Sequence, residues 1–252
     1  MAALRREEVD KIPLSIWYHI PQVDQDPVQL AEETLRITKE YDFDFIKMMP
    51  FGNYCAQDYG LSVTFFCNET QPALERKFGI ESVEDWKRLE PLPACYGTYG
   101  KQLQFTQYLQ KMLKGEDIPY IQTIFSPLTV AKKLAGPRLF EDMRDARSWF
   151  IPHFAPSQRP TKNFCKANIE AGIGSASFCS HCSSIVDDRG GVQGVRRPYD
   201  LDVISAYQDD TYFNVVHIHG DNTMWSLMAS YPVQCVNWHD RWSLPPWRKP
   251  GK

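Results

Sequence analysis

The sequence predicts an α/β fold of the (β/α)8 barrel type, incomplete at its C-terminal end, with about six strand–helix units where the common barrel has eight. Three observations carry that expectation. Short apolar runs alternate with amphipathic runs along most of the 252 residues, the pattern of a parallel sheet with helices outside it. No GxGxxG follows the first apolar run, which disfavours an open dinucleotide-binding sheet. Polar residues late in several strand candidates share one alternating phase, as they do when they line a barrel mouth.

The elements follow in chain order. Leu14–Tyr18 (LSIWY) reads as the first strand. Asp26-Pro27 opens a helix, with Asp as cap and Pro at the first helical position. Phe43–Met49 reads as a second strand stopped by Pro50. Residues 51–100 are irregular, with a short strand at Ser62–Phe66 and a short capped helix at Ser82–Leu89. Lys101–Lys114 is helical and Tyr120–Phe125 a strand. Ser126-Pro127 then starts a helix that Gly136 is placed to stop. Phe164–Ala171 reads as helix and Ser175–Cys179 as strand. Pro198–Gln208 and Asn222–Ala229 read as helices, Asn214–Ile218 and Val233–Trp238 as strands. The tail SLPPWRKPGK is a Pro-rich, basic loose end. Residues 1–252 are expected to form one barrel domain.

Composition narrows the function classes. Apolar residues at 43% and charged residues at 23% describe an ordinary globular chain. A net charge of −3 and a pI near 6.1 give no electrostatic reason to expect nucleic acid or an anionic membrane as partner. No apolar run is long enough to cross a membrane. The N-terminus MAALRREEVDK carries charge where a signal peptide needs its apolar stretch, so a cytoplasmic location with reduced cysteines is expected.

The strand phase selects the candidate site. Helix-facing positions must be apolar, so Val216 and Ile218 put His217 and His219 inward. Val236 and Trp238 facing out leave Cys235, Asn237 and His239 inside. Ile46 and Met48 facing out place Lys47 inside; Ile16 and Tyr18 facing out place Trp17 and His19 inside. The expected catalytic set is His217, His219, His239, Lys47 and His19. Substrate contacts are expected from Trp17, Tyr54, Gln122, Asn237 and Asp240. The alternative is that each is a satisfied core polar group. His217-x-His219 puts two imidazoles on one strand face, and with His239 they would make a zinc site if a metal is bound; the cofactor is none or zinc. Cys179-Ser-His-Cys182 has no second CxxC and reads as thiols rather than a structural zinc site. Tyr54 also stands in the aromatic series Tyr54, Tyr59, Phe65 and Phe66, which reads as packing.

Several segments together resemble the uroporphyrinogen decarboxylase superfamily: LSIWYHIPQVDQDP, YDFDFIKMMPFGNYCAQDYG, IPYIQTIFSPLTVAKKLAG, IEAGIGSASFCSH, FNVVHIHGDN and YPVQCVNWHDR, over about residues 12–241. The resemblance implies a (β/α)8 barrel with its site at the C-terminal mouth. It also implies one of two chemistries, cofactor-free decarboxylation or zinc-dependent methyl transfer. Three departures matter. WYHIPQ lacks the arginines that hold substrate carboxylates in the decarboxylases, and KMMPFGNY lacks their acidic residue. His217-Ile-His219 stands where the zinc methyltransferases carry His-x-Cys. The last two βα units have no counterpart. The expected function is a decarboxylase-like lyase acting on a small carboxylated molecule other than uroporphyrinogen. The alternatives are a zinc-dependent methyltransferase or a non-catalytic small-molecule-binding relic. An unclosed edge rich in apolar residues predicts a homo-oligomer.

Overall fold

The fold is seen in a computed structural model, which describes residues 2–145, 158–180, 193–218, 223, 225 and 230–239. Among them, five strands form one parallel sheet in the order β1-β4-β5-β6-β7. These are β1 (Ile46–Lys47), β4 (Tyr120–Phe125), β5 (Ser175–Ser180), β6 (Phe213–Ile218) and β7 (Cys235–Trp238). Between β1 and β4 the chain makes a small antiparallel hairpin, β2 (Ser62–Thr64) with β3 (Leu74–Lys77). The helices are α1 (Pro27–Glu40), α2 (Val83–Trp86), α3 (Gly97–Met112), α4 (Pro127–Ala135), α5 (Arg138–Asp145), α6 (Arg159–Glu170) and α7 (Gln193–Ile204).

Local chemistry sets the helix ends. Asp26 accepts the backbone N–H groups of Val28 and Gln29, with Pro27 at the first position of α1. Ser126 caps α4 by accepting the Thr129 N–H at 3.1 Å, satisfying a donor the helix itself leaves orphaned. Gly136 ends α4 at φ +57°, and a Cβ there would lie 2.4 Å from the Phe78 ring. The hairpin thus docks on the C-terminus of α4, where Ile80 N–H also donates to Leu134 O at 3.0 Å.

The strands sort their side chains into two layers. Ile46 and Met48 pack outward with Leu30, Ala31, Phe105 and Leu109 of α1 and α3. Val216, Ile218, Val236 and Trp238 pack outward in the main helix-side core. Ile121, Phe213 and Val215 face the other way, with Leu4, Trp17, Phe45 and Cys235 packed against them. That second cluster is the apolar floor of the interior. The sheet is strongly rolled. Trp17 lies on the segment beside β1, four strand spacings or about 19 Å from β6 in a flat sheet. Its ring centroid nevertheless lies 4.6 Å from that of His217 on β6, as it can when the sheet curls towards a barrel.

The structure departs from the expected elements at the first margin. Leu14–Tyr18 is not a strand. Its backbone exchange with the β1 side is one bond, Asp44 N–H to Leu14 O at 2.9 Å, because a strand needs a paired neighbour as well as suitable residues. Its outward row, Leu14, Ile16 and Tyr18, is 58%, 53% and 46% exposed. β1 keeps two of the residues expected for its strand. β3 and α5 were not expected. Most of the expected helix at 222–229 (all but Thr223 and Trp225), the tail 243–252, Cys182, His219 and Asp240 lie outside the described residues. Among the described residues no helix is long and apolar enough to cross a membrane.

Candidate functional site at the sheet's C-terminal end

The site begins with β6 and β7. They pair in parallel with His217 opposite Asn237, so both side chains share the inward face. His217 Nδ1 lies 2.7 Å from Asn237 Oδ1. An amide oxygen only accepts, so Nδ1 carries the proton and the lone pair of the neutral ring sits on Nε2. The His239 ring follows on the same face of β7, 5.6 Å from His217 at 77°.

Lys47 supplies the positive charge from the opposite wall. It is 4% exposed. Its ammonium donates to Thr123 Oγ1 on β4 and to Met48 O at 3.2 Å. It also stands 4.9 Å from the centroid of Trp17, within cation–π range. Trp17 therefore has Lys47 and His217 as neighbours, and its ring joins two walls of the mouth.

His19 completes this group. It keeps a solvent-open edge in a crowded concavity, with the Pro50 carbonyl nearby. Desolvation first, then the nearby charges of Lys47 and Lys133, hold its pKa below the usual 6.5. Cys235 lies deeper, and burial pushes its thiol pKa up, away from the thiolate form that binds metal or attacks.

The structure thus brings together Trp17, His19, Lys47, His217, Asn237 and His239. Two expectations are corrected. Gln122 does not reach the mouth: it is 1% exposed, and its amide donates to Thr106 Oγ1 at 2.9 Å and Asn168 Oδ1 at 3.1 Å, between β4 and helices α3 and α6. Tyr54 is core. Its hydroxyl donates to Thr123 O at 2.8 Å, and its ring packs on Tyr99, Phe125 and Phe164, in keeping with the packing reading of that aromatic series. Thr123, which accepts from Lys47, escaped the strand-phase reasoning, though alternation along Tyr120–Phe125 could have found it.

Two clefts are lined by described residues. One of about 470 Å³ lies between the Ser15–Ile20 segment and α1 and has Lys47 in its wall, and another of about 560 Å³ lies near Leu4, Phe45 and Phe213 at the opposite end of the strands. No histidine lines either cleft.

The described strands thus form a parallel α/β sheet rolled towards a barrel, of the TIM-barrel-like α/β class, with the histidine pair beside the C-terminal ends of β6 and β7. The family model for uroporphyrinogen decarboxylase (URO-D) matches residues 1–251. The chain belongs to that family. A search of curated proteins found no match. Among solved structures, a methyltransferase from Methanosarcina mazei is similar, with 15% identity and a TM-score of 0.75 over 93% of this chain and 73% of that one. At that identity the likeness shows the fold.

Proposed function

We propose that this chain is a uroporphyrinogen-decarboxylase-like lyase that removes CO2 from a small carboxylated substrate by acid–base chemistry. The observation that carries the reading is the meeting of a buried ammonium, Lys47, and a tautomer-fixed imidazole, His217, at one aromatic wall, Trp17.

The roles follow from the atoms. Lys47 attracts and orients the anionic substrate in a site of low polarity, where one charge acts strongly. The bond from carbon to carboxylate breaks, CO2 departs, and the electron pair stays on the substrate, which must be able to delocalise it. His217 first takes a solvent proton on Nε2, and the resulting imidazolium, its Nδ1–H still held by Asn237, delivers that Nε2 proton to the carbon. Water then restores the proton to His217. His239 and Trp17 wall the reacting group, and His19 closes the rim.

The test is CO2 release from a panel of carboxylated compounds by wild type and by His217→Ala. Release by wild type that disappears in a folded His217→Ala supports the reading. Equal release by both variants removes His217 from the chemistry.

The second reading, zinc-dependent methyl transfer, is favoured by the methyltransferase neighbour and by the His217–His239 pair. Among the described residues no three His, Cys, Asp or Glu side chains are grouped to hold a metal ion. The pair also shares its mouth with the Lys47 ammonium, which opposes a second cation. The described residues therefore do not make a zinc site. One equivalent of zinc in purified wild type, absent from His217→Ala, would favour this second reading.

A further inference from the structure

We propose that Lys133 is a second carboxylate-binding residue, forming with Lys47 a two-lysine clamp that selects substrates carrying at least two carboxylates. The inference rests on the decarboxylase reading and deepens it. Lys47 would hold the end where CO2 departs; Lys133 would anchor a carboxylate that stays.

Geometry places Lys133 at the mouth. It lies in the later half of α4, but helix side chains lean towards the helix N-terminus. The N-terminus of α4 follows directly on the C-terminal end of β4. The Lys133 ammonium accordingly sits 5.0 Å from the centroid of Phe125, the last residue of β4. It donates to Asn53 Oδ1 at 2.9 Å, in the loop that follows β1. The same loop begins at Pro50, and Lys47 ends the strand just before it.

The partners of Lys133 are neutral. No carboxylate among the described residues lies within ion-pair distance of it, while other lysines of the chain, such as Lys11, Lys39 and Lys162, have such partners. A half-buried ammonium held by an amide oxygen and an aromatic face is positioned but not neutralised. Asn53 is 6% exposed, and its amide N–H groups make no bond to described residues, so they stand ready to donate to the same anion. Thr123, which accepts from Lys47, and Phe125, which lies under Lys133, are two residues apart on β4 and share one face of that strand, so both ammonium groups lie along the same side of it.

The experiment is calorimetric titration of the full chain with glutarate, with citrate, and with glutaramide as the uncharged control. Glutarate or citrate should bind wild type while glutaramide does not. Lys133→Gln should weaken the carboxylate by about tenfold to a hundredfold, the range for a lost charge-assisted hydrogen bond. Lys133→Arg should retain affinity within a few-fold. Lys133→Met keeps the aliphatic stem over Phe125 and serves if the glutamine variant does not fold. NMR titration without ligand should show the His19 pKa rising in Lys133→Gln, a change that a lysine remote from the mouth would not produce. If Lys133→Gln binds like wild type while Lys47→Gln loses binding, the clamp is wrong and the decarboxylase reading stands. If wild type binds none of the carboxylates, the clamp and the reading fall together.

Discussion

Replacing Asn237 with alanine tests the acid–base assignment at its most specific point. Asn237 Oδ1 holds His217 Nδ1 at 2.7 Å. Both side chains are half-buried, so water can take the vacated place and no buried donor is stranded. The hydrogen bond is then worth about 1 kcal/mol net. For a chain of this length that corresponds to a fall in Tm of about 2–4 °C. The same 1 kcal/mol is a bias of about fivefold towards the Nδ1–H tautomer. Nitrogen chemical shifts of His217 should therefore show mostly Nδ1–H in wild type and a more even mixture in Asn237→Ala. CO2 release should fall by about tenfold to a hundredfold, the loss typical of removing an orienting partner. Asn237→Asp should restore the orientation, and its negative charge should raise the His217 pKa and move the pH profile to higher pH. A neutral wild-type His217 that carries its single proton on Nε2, or an Asn237→Ala variant as active as wild type, would refute the assignment.

Other predictions concern the scaffold and its edges. Gly136→Ala should destabilise the fold by more than about 1 kcal/mol, since its φ of +57° strains any side chain and the new Cβ meets Phe78 at 2.4 Å; chemical denaturation measures this, and an unchanged midpoint would contradict it. The depressed pKa of His19 means that the folded state binds fewer protons than the unfolded one below pH 6.5. Its contribution to stability is full above that value and is lost as pH falls from 6.5 through the lower folded-state pKa. Melting curves should therefore flatten on this acid side in His19→Gln. The exposed row of Ile12, Leu14, Ile16 and Tyr18, 87%, 58%, 53% and 46% open to solvent, should drive self-association. Light scattering should show dimers or larger species that Leu14→Lys with Ile16→Lys reduces to monomer; a monomeric wild type at micromolar concentration would contradict that.

Strand phase was the legible part of this molecule. Alternation has a period of two, so a few apolar residues on each strand suffice to tell inside from outside. Val216, Ile218, Val236 and Trp238 did so for His217 and Asn237, and Ile46 and Met48 did so for Lys47. Helix caps were legible for the same reason: Asp26-Pro27 and Ser126-Pro127 act through atoms a few residues away. What depends on a distant neighbour was not legible. LSIWY has strand-like residues, but a strand also needs a partner on its margin. LERK at 74–77 is exposed at all four positions and carries no apolar pattern to read. Gln122 is polar on a strand that could have lined the mouth, yet Thr106 and Asn168 from two helices claim it. Lys133 reads as an ordinary cation near a helix C-terminus, and its loop partner Asn53 lies eighty residues away along the chain.

The most direct test of the central claim is the deuterium content of the product formed by wild type in D2O, read by mass spectrometry. Decarboxylation leaves an electron pair on carbon that His217 must quench with a solvent-derived proton. The account predicts one deuteron per CO2 released, with both lost in His217→Ala. A product that gains a methyl group instead, or CO2 release without deuterium at the vacated carbon, would contradict it.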